Sequence, residues 1–199
     1  FITKELGLEI DYVSVFEGTK GVPKDTDSAE TWKGLGIPDE RIFYYGVDKN
    51  WWSRSGTPED MPAGEIGGPD SEVFFDFGTP HNHKYGEKCH PNCQCGRFIE
   101  IGNSVFIQYK KKSRGELEEL PQKNVDFGGG LERIAAAVKG TPDIFETDLF
   151  SKIIERVEEF SDKKYEGENK NPMRVIADHL KASTLLIGSG VAPSNTAQG

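Results

Sequence analysis

The densest chemistry in the sequence lies in the run 124–133, Asn-Val-Asp-Phe-Gly-Gly-Gly-Leu-Glu-Arg. There an extended stretch delivers a carboxylate, Asp126, to three consecutive glycines and then to a helix-forming segment. Glycine lets a ligand lie against the backbone, and the first turn of a helix offers N–H groups with no partner inside the helix. Together they make a cradle for an anionic group. Arg133 follows just inside that helix. Leu131, Ile134, Ala135 and Val138 form an apolar stripe. With Leu131 at its centre, Arg133 lies about 200° round the helix at roughly 100° per residue, facing solvent or a ligand. Taken alone, the run also fits a glycine turn followed by a solvated arginine.

A second concentration is Cys89, Cys93 and Cys95, which are all the cysteines of the chain. Such a cluster is a poor disulfide framework and suits a metal in a reducing compartment. Three thiolates need one more donor to close a tetrahedral Zn²⁺ shell. The expected fourth ligand is His90, with His83 as the alternative. The spacing Cys-x3-Cys-x-Cys is tighter than that of a finger, and reduced thiols without metal are the other reading.

These residues need elements to hold them. Runs of Val, Ile, Tyr and Phe predict strands over 8–16, 41–45, 71–77 and 97–110, with a shorter one over 123–127. A helix over 27–35 begins at Asp27 or Ser28 and is stopped by Gly36-Ile37-Pro38. Residues 47–70, rich in Gly, Pro, Asp and Ser but carrying Trp51-Trp52, read as a long structured loop, and 111–119 as a charged turn. A helix over 147–160 would bury Leu149, Phe150, Ile153, Ile154, Val157 and Phe160. The polar stretch 161–170 reads as a junction. Asn171-Pro172 then suits a cap and first helical position, ahead of Met173, Ile176, Ala177 and Leu180 at helical spacing. The expectation is an α+β fold, an antiparallel sheet flanked by helices over 1–165, followed by the start of a helical domain over 166–199.

Composition sets limits. With 24 Lys+Arg against 33 Asp+Glu the net charge is −9, which argues against a self-sufficient nucleic-acid binder, because phosphate contacts need a basic face. No apolar run approaches the roughly 20 residues that span a bilayer, and no export signal opens the sequence, so the expectation is a cytoplasmic protein with no membrane partner. The sequence starts without Met and stops in mid-pattern, which suggests a piece of a longer chain.

Set beside the glycine run, several other stretches resemble one family. They are Trp32-Lys-Gly-Leu-Gly-Ile-Pro38 with Arg41-Ile-Phe and Asn50-Trp-Trp52, Gly68-Pro-Asp-Ser-Glu-Val-Phe-Phe-Asp76, and Glu100-Ile-Gly-Asn-Ser-Val-Phe-Ile-Gln108. Arg174-Val-Ile-Ala-Asp-His-Leu180 and Gly190-Val-Ala-Pro-Ser-Asn195 complete the set. In this order they resemble the class II aminoacyl-tRNA synthetases, specifically those for alanine, and 124–133 resembles motif 3 of that class. Two positions depart from the pattern: Asp70 stands where many members carry Cys, and Gly102 where they usually carry Trp. The family's motifs 1 and 2 would lie upstream of Phe1.

The resemblance implies an alanine-tRNA ligase that activates L-alanine with ATP, as its Mg²⁺ complex, and transfers it to tRNA(Ala) through regions mostly outside this chain. It implies that Trp52 stacks near the adenine, that Asn103 and Val105 shape the alanine pocket, and that Asp126 holds the substrate ammonium. Gly128 and Gly130 would form the pocket floor, and Arg133 would contact the triphosphate. Asp126 and Arg133 are thus the implied catalytic pair. The chain alone, without motif 2, is expected to be inactive. Three plainer readings stand beside these: Trp52 as a core aromatic, Glu72 or Glu100 as partners of neighbouring strands or arginines, and Asp126 as a cap for the turn or helix that follows it. At the level of function, the alternative is a catalytically silent relative or a zinc-binding module that kept the fold.

Overall fold

The computed structural model describes residues 1–196. Its centre is a six-stranded mixed sheet, formed by β1 (Tyr12–Phe16), β2 (Ile42–Tyr45), β3 (Trp51–Ser53), β4 (Ile66–Asp76), β5 (Phe98–Lys111) and β6 (Leu117–Gly128). The order is β2-β1-β4-β5-β6, with β3 pairing the early part of β4. Every pair is antiparallel except β1–β2, where helix α1 (Thr26–Gly34) carries the chain across between two parallel strands. The α+β expectation holds, with this one parallel pair added to the expected antiparallel sheet.

The local elements follow from the residues with several corrections. α1 is capped by Asp25, whose side chain accepts the Ser28 N–H, rather than by Asp27 or Ser28. The stretch read as a loop over 47–70 contains β3 and the start of β4. β6 is a long strand that forms a hairpin with β5, closed by the Lys112 N–H donating to Glu116 O.

Helix α2 (Leu131–Lys139) buries Ala136 and Ala137, while Leu131 and Val138 are exposed; of the expected stripe, Ile134 packs against the core. At roughly 100° per residue Ala136 and Ala137 lie about 140° and 240° round the helix from Leu131, so the face turned to the sheet is a different one from that predicted, and its small alanines let the helix sit close. The core joins Val13, Val15, Val73 and Ile101 of the sheet to Ala29 of α1 and Ala137 of α2. A second cluster packs Phe16, Val22, Trp51, Met61 and Tyr109.

By internal contacts the chain divides into compact units 1–142 and 143–199. The second unit packs α3 (Ser151–Ser161) on α4 (Lys170–Gly188) through Phe150, Ile154, Met173 and Ala177. Its polar centre is Asp143, which accepts from Arg174 at 2.5 Å, Tyr165 at 3.0 Å and Lys170 at 3.2 Å. Phe160, expected inside, is 82% exposed beneath Arg156, and Ile176 and Leu180 are also exposed. α4 starts at Lys170 rather than Pro172, with Asn169 at the cap position and Asn171-Pro172 within its first turn. Within this second unit 147–160 packs with the helix that follows it.

Candidate functional site

Alternation along β5 divides its side chains between the two faces of the sheet. Ser104, Phe106 and Gln108 face an open cleft of about 680 Å³ that is also lined by Trp32 and Thr31 of α1. Asn103, Val105 and Ile107 face a cavity of about 370 Å³ on the other side. Trp52, Glu100, Asp126, Gly128, Gly129, Gly130 and Arg133 complete that second cavity. All seven residues singled out from the sequence for ATP and alanine, namely Trp52, Asn103, Val105, Asp126, Gly128, Gly130 and Arg133, therefore line one space.

Each is delivered by a simple device. The adjacent tryptophans sit on a short strand, so Trp51 enters the core beside Phe16 and Tyr109 while Trp52, 42% exposed, reaches the cavity. Asp126 is exposed on β6 opposite Val105, and Gly128 is opposite Asn103. Helix α2 is capped by Gly130 without any side-chain hydrogen bond, so Asp126 does not serve as its cap. Gly130 matters sterically: a Cβ there would come within 2.5 Å of Arg133 Nε. The Arg133 side chain folds back over that glycine and donates to Glu100 at 2.6 Å, half-exposed. Glu100 thus takes the plainer role of arginine partner, across the cavity that Arg133 is expected to serve.

Behind Asn103 lies a buried polar chain. Asn50 Nδ2 donates to Asp70 Oδ1 and to Ser14 Oγ, both at 2.9 Å, and Ser14 Oγ donates to Glu72 at 3.0 Å. Asn103 Nδ2 donates to Asp70 Oδ2 at 3.3 Å, which fixes its amide and leaves Oδ1 without a partner. Burial pushes the Asp70 carboxyl up to about 6 against the opposing hydrogen bonds of Asn50 and Asn103. Burial, then the charges of Glu100 and Asp70, pushes Glu72 up to about 7. Composition hides this network; only the polar residues embedded in apolar strands, Ser14 and Ser71-Glu72, hint at it.

The two departures have structural counterparts. Asp70 is the acceptor that orients Asn103. At Gly102 a Cβ would meet the Phe127 ring at 2.9 Å, so Phe127 occupies the space a larger side chain would need.

The connection between β4 and β5 holds the second centre. His81, Cys89, Cys93 and Cys95 present ligand atoms that all lie within 4.8 Å of one another. Cys89 Sγ is 3.6 Å from Cys95 Sγ, and Cys93 Sγ is 3.8 Å from His81 Nδ1. The three cysteines come together as expected, but the histidine is neither of those named. His90 Nδ1 is 2.8 Å from the Tyr45 hydroxyl, and His83 stacks edge-on against the His81 ring. The short turn His83–Tyr85 and Gly86 reverse the chain, which returns His81 to the thiols. His81 Nε2 is 2.9 Å from the Gly86 carbonyl oxygen, which fixes the ring with Nδ1 toward sulfur. Although burial opposes it, hydrogen bonds from His81 and the Arg97 backbone lower the Cys95 thiol to about 6, while burial raises Cys89 to about 11.

Among the described residues, no helix is long and apolar enough to cross a membrane. Residues 1–199 match the family model described as tRNA synthetases class II (A). An alanine–tRNA ligase from Borrelia hermsii is 42% identical over 195 residues, covering 94% of this chain and 31% of that protein. One from Treponema denticola is 40% identical over 210 residues, 100% of this chain and 33% of the relative. One from Petrotoga mobilis is 39% identical over 206 residues, 100% of this chain and 22% of the relative. The chain spans about a third or less of the length of these relatives.

Proposed function

Because this chain belongs to the class II (A) tRNA synthetases, we propose that it is the later part of the catalytic domain of an alanine–tRNA ligase, over 1–165, with the start of a helical tRNA-recognition domain over 166–199. The observation that carries this reading is the single cavity in which Trp52, Asn103, Val105, Asp126, Gly128, Gly130 and Arg133 meet, although they come from separate strands and a helix.

In this reading L-alanine enters with its ammonium on Asp126 and the free Oδ1 of Asn103, its methyl group against Val105. A bare ammonium leaving water needs such acceptors, because an unpaired buried charge costs several kcal/mol. ATP, as its Mg²⁺ complex, lays its adenine near Trp52 and its triphosphate toward the first turn of α2. Arg133 exchanges Glu100 for phosphate oxygens. The alanine carboxylate oxygen forms a bond to the α-phosphorus, pyrophosphate leaves, and alanyl-adenylate remains. A terminal ribose hydroxyl of tRNA(Ala) then attacks the acyl carbon and AMP leaves. The protein's share is positioning and charge stabilisation. Such an enzyme works in the cytoplasm, and with net charge −9 this segment leaves most tRNA contacts to other regions.

Alanine-dependent ATP–pyrophosphate exchange, measured on the full-length gene product containing this sequence, tests the reading. Exchange that is specific for alanine supports it. Absence of exchange in a folded, full-length protein overturns it in favour of a silent relative. The 199-residue chain alone should show none.

A further inference from the structure

The connection 77–97 is a long segment without a strand, and almost none of it is buried. Only Pro91 and Cys93 are inside. A loop of this length with no apolar core is ordinarily loose, since nothing offsets the chain entropy of fixing it. Here it is nonetheless drawn into a definite shape. At its base Phe77 N–H donates to Arg97 O at 2.9 Å, and the Arg97 guanidinium makes a two-pronged pair with Asp76 at 2.8 and 2.6 Å. Beyond that base, the side chains of His81, Cys89, Cys93 and Cys95 converge on one another.

We propose that these four residues bind one Zn²⁺ ion that staples the β4–β5 connection. Tetrahedral zinc with bonds of about 2.3 Å to sulfur and 2.0 Å to nitrogen sets sulfur atoms about 3.8 Å apart and sulfur to nitrogen about 3.5 Å. The observed 3.6 Å between Cys89 and Cys95, and 3.8 Å between Cys93 and His81, come close to these values, and all four ligand atoms lie within 4.8 Å of one another. A disulfide would bring two sulfurs to about 2.05 Å, far closer than any pair here. Three thiolates and one imidazole close the shell and leave no position for water, which makes the site structural rather than catalytic. The Gly86 carbonyl behind His81 Nε2 supplies the outer hydrogen bond that such an imidazole needs to hold its orientation. Binding displaces the thiol protons to solvent and returns folding free energy to the loop.

The staple also explains how the loop reaches the sheet. Between Cys89 and Cys93 lie His90, which meets the Tyr45 hydroxyl of β2 at 2.8 Å, and Asn92, whose amide approaches Tyr45 and the buried Glu72. Asn92 Nδ2 is buried and has no acceptor in hydrogen-bond geometry. Metal ligation on both sides of these two residues fixes them against the strand pair β2–β1.

The test is zinc content of the full-length gene product, made without a histidine tag, reduced, loaded with zinc and dialysed. About one zinc per chain is expected at this site, counted as the difference that His81→Ala or Cys93→Ser removes, each to below about a tenth of an equivalent. His90→Ala and His83→Ala should keep it, which separates this ligand set from any other drawn from the same loop. Should Cys93→Ser fail to fold, cobalt substitution of the unaltered full-length gene product, read against His81→Ala, gives the independent reading. Intense visible bands of a tetrahedral, thiolate-bound Co²⁺ support the site. Zinc retained in His81→Ala but lost in His90→Ala, or weak six-coordinate Co²⁺ absorption in the unaltered chain, overturns it. Pyrophosphate exchange plays no part in these readouts, so failure here is distinct from failure of the synthetase reading.

Discussion

The cavity around Asp126 and the loop around Cys93 hold their functional groups in opposite ways. Backbone ladders place the cavity residues: β5 pairs with β6 in a register that sets Val105 opposite Asp126 and Asn103 opposite Gly128. The Cys/His loop has no ladder, and its four ligands converge only through their own side chains and one reversal at His83–Tyr85. The difference teaches which kind of site can be read from a string. Where hydrogen-bonded strands fix position, residue order carries over into space. Where side-chain chemistry alone gathers a segment, nearness in sequence is a poor guide.

The strongest test of the ladder-built cavity is Asp126→Asn in the full-length gene product. It keeps size and hydrogen bonding but removes the charge, so the KM for alanine should rise about thirtyfold or more with little change for ATP. A change below about threefold in a folded protein would break the ammonium assignment. For the loop, the corresponding step is to strip metal with a chelator. That should lower the melting temperature by about 5 °C, with protease cleavage appearing first within 77–97. Equal thermal curves with and without chelator would leave the loop held by its base alone.

The buried carboxylates beneath the cavity give a third, smaller test. Glu72 is raised from 4.5 to about 7, so between these values the folded chain keeps a proton the unfolded chain has lost. Its stabilising contribution is complete below about 4.5 and fades as the pH rises through about 7. Glu72→Gln cannot titrate, so relative to the unaltered chain it should gain on the order of 2 kcal/mol in urea unfolding between pH 5 and pH 8. A difference that does not vary with pH would mean that Glu72 titrates normally. The smallest effect belongs to Gly102→Ala. The new Cβ closely meets the rim of Phe127, a ring 56% exposed, and lies at an ordinary 3.5 Å from Ile2 Cδ1, so the cost should stay below about 1 kcal/mol. A loss of several kcal/mol would show that Phe127 is fixed in place as part of the cavity wall.

Most of the sheet was legible because short runs of Val, Ile, Tyr and Phe mark strands whatever their partners. β3 and the first half of β6 are not, since Trp51–Ser53 is too short for a periodic signal and β6, legible only over 123–127, is mostly polar on an exposed edge. The α2 face was misread because hydrophobicity favoured Leu131 and Val138, whereas close packing on the sheet selects Ala136 and Ala137. Phe160 was assigned inward for the same reason, though helical spacing cannot say where a neighbouring helix ends. The cavity was read through resemblance, not spacing: nothing in the string alone brings Trp52 to Arg133. His81 was missed because it lies farther from the cysteines than His83 or His90, and the reversal that returns it depends on Gly86 at φ 126°.

The alternation of β5 carries a further consequence for how this sequence can change over generations. Substituting Asn103 or Phe106 alters one face and leaves the other as it was. Inserting or deleting a single residue upstream in the strand would exchange the faces, presenting Ser104, Phe106 and Gln108 to the cavity and Asn103, Val105 and Ile107 to the cleft beside α1. The register is already irregular at Gly67/Asp70, at Ile107/Tyr109 and at Val73/Phe74, where consecutive β4 residues face Gly102 and Glu100 and the extra residue, Ile101, lets Glu100 line the same cavity as Asn103. At Gly68, within the first of these, a Cβ would overlap the Phe106 carbonyl oxygen, so the slack there is already taken up. From Asn103 to Ile107, beyond that bulge, point changes thus tune the site and a length change would invert it.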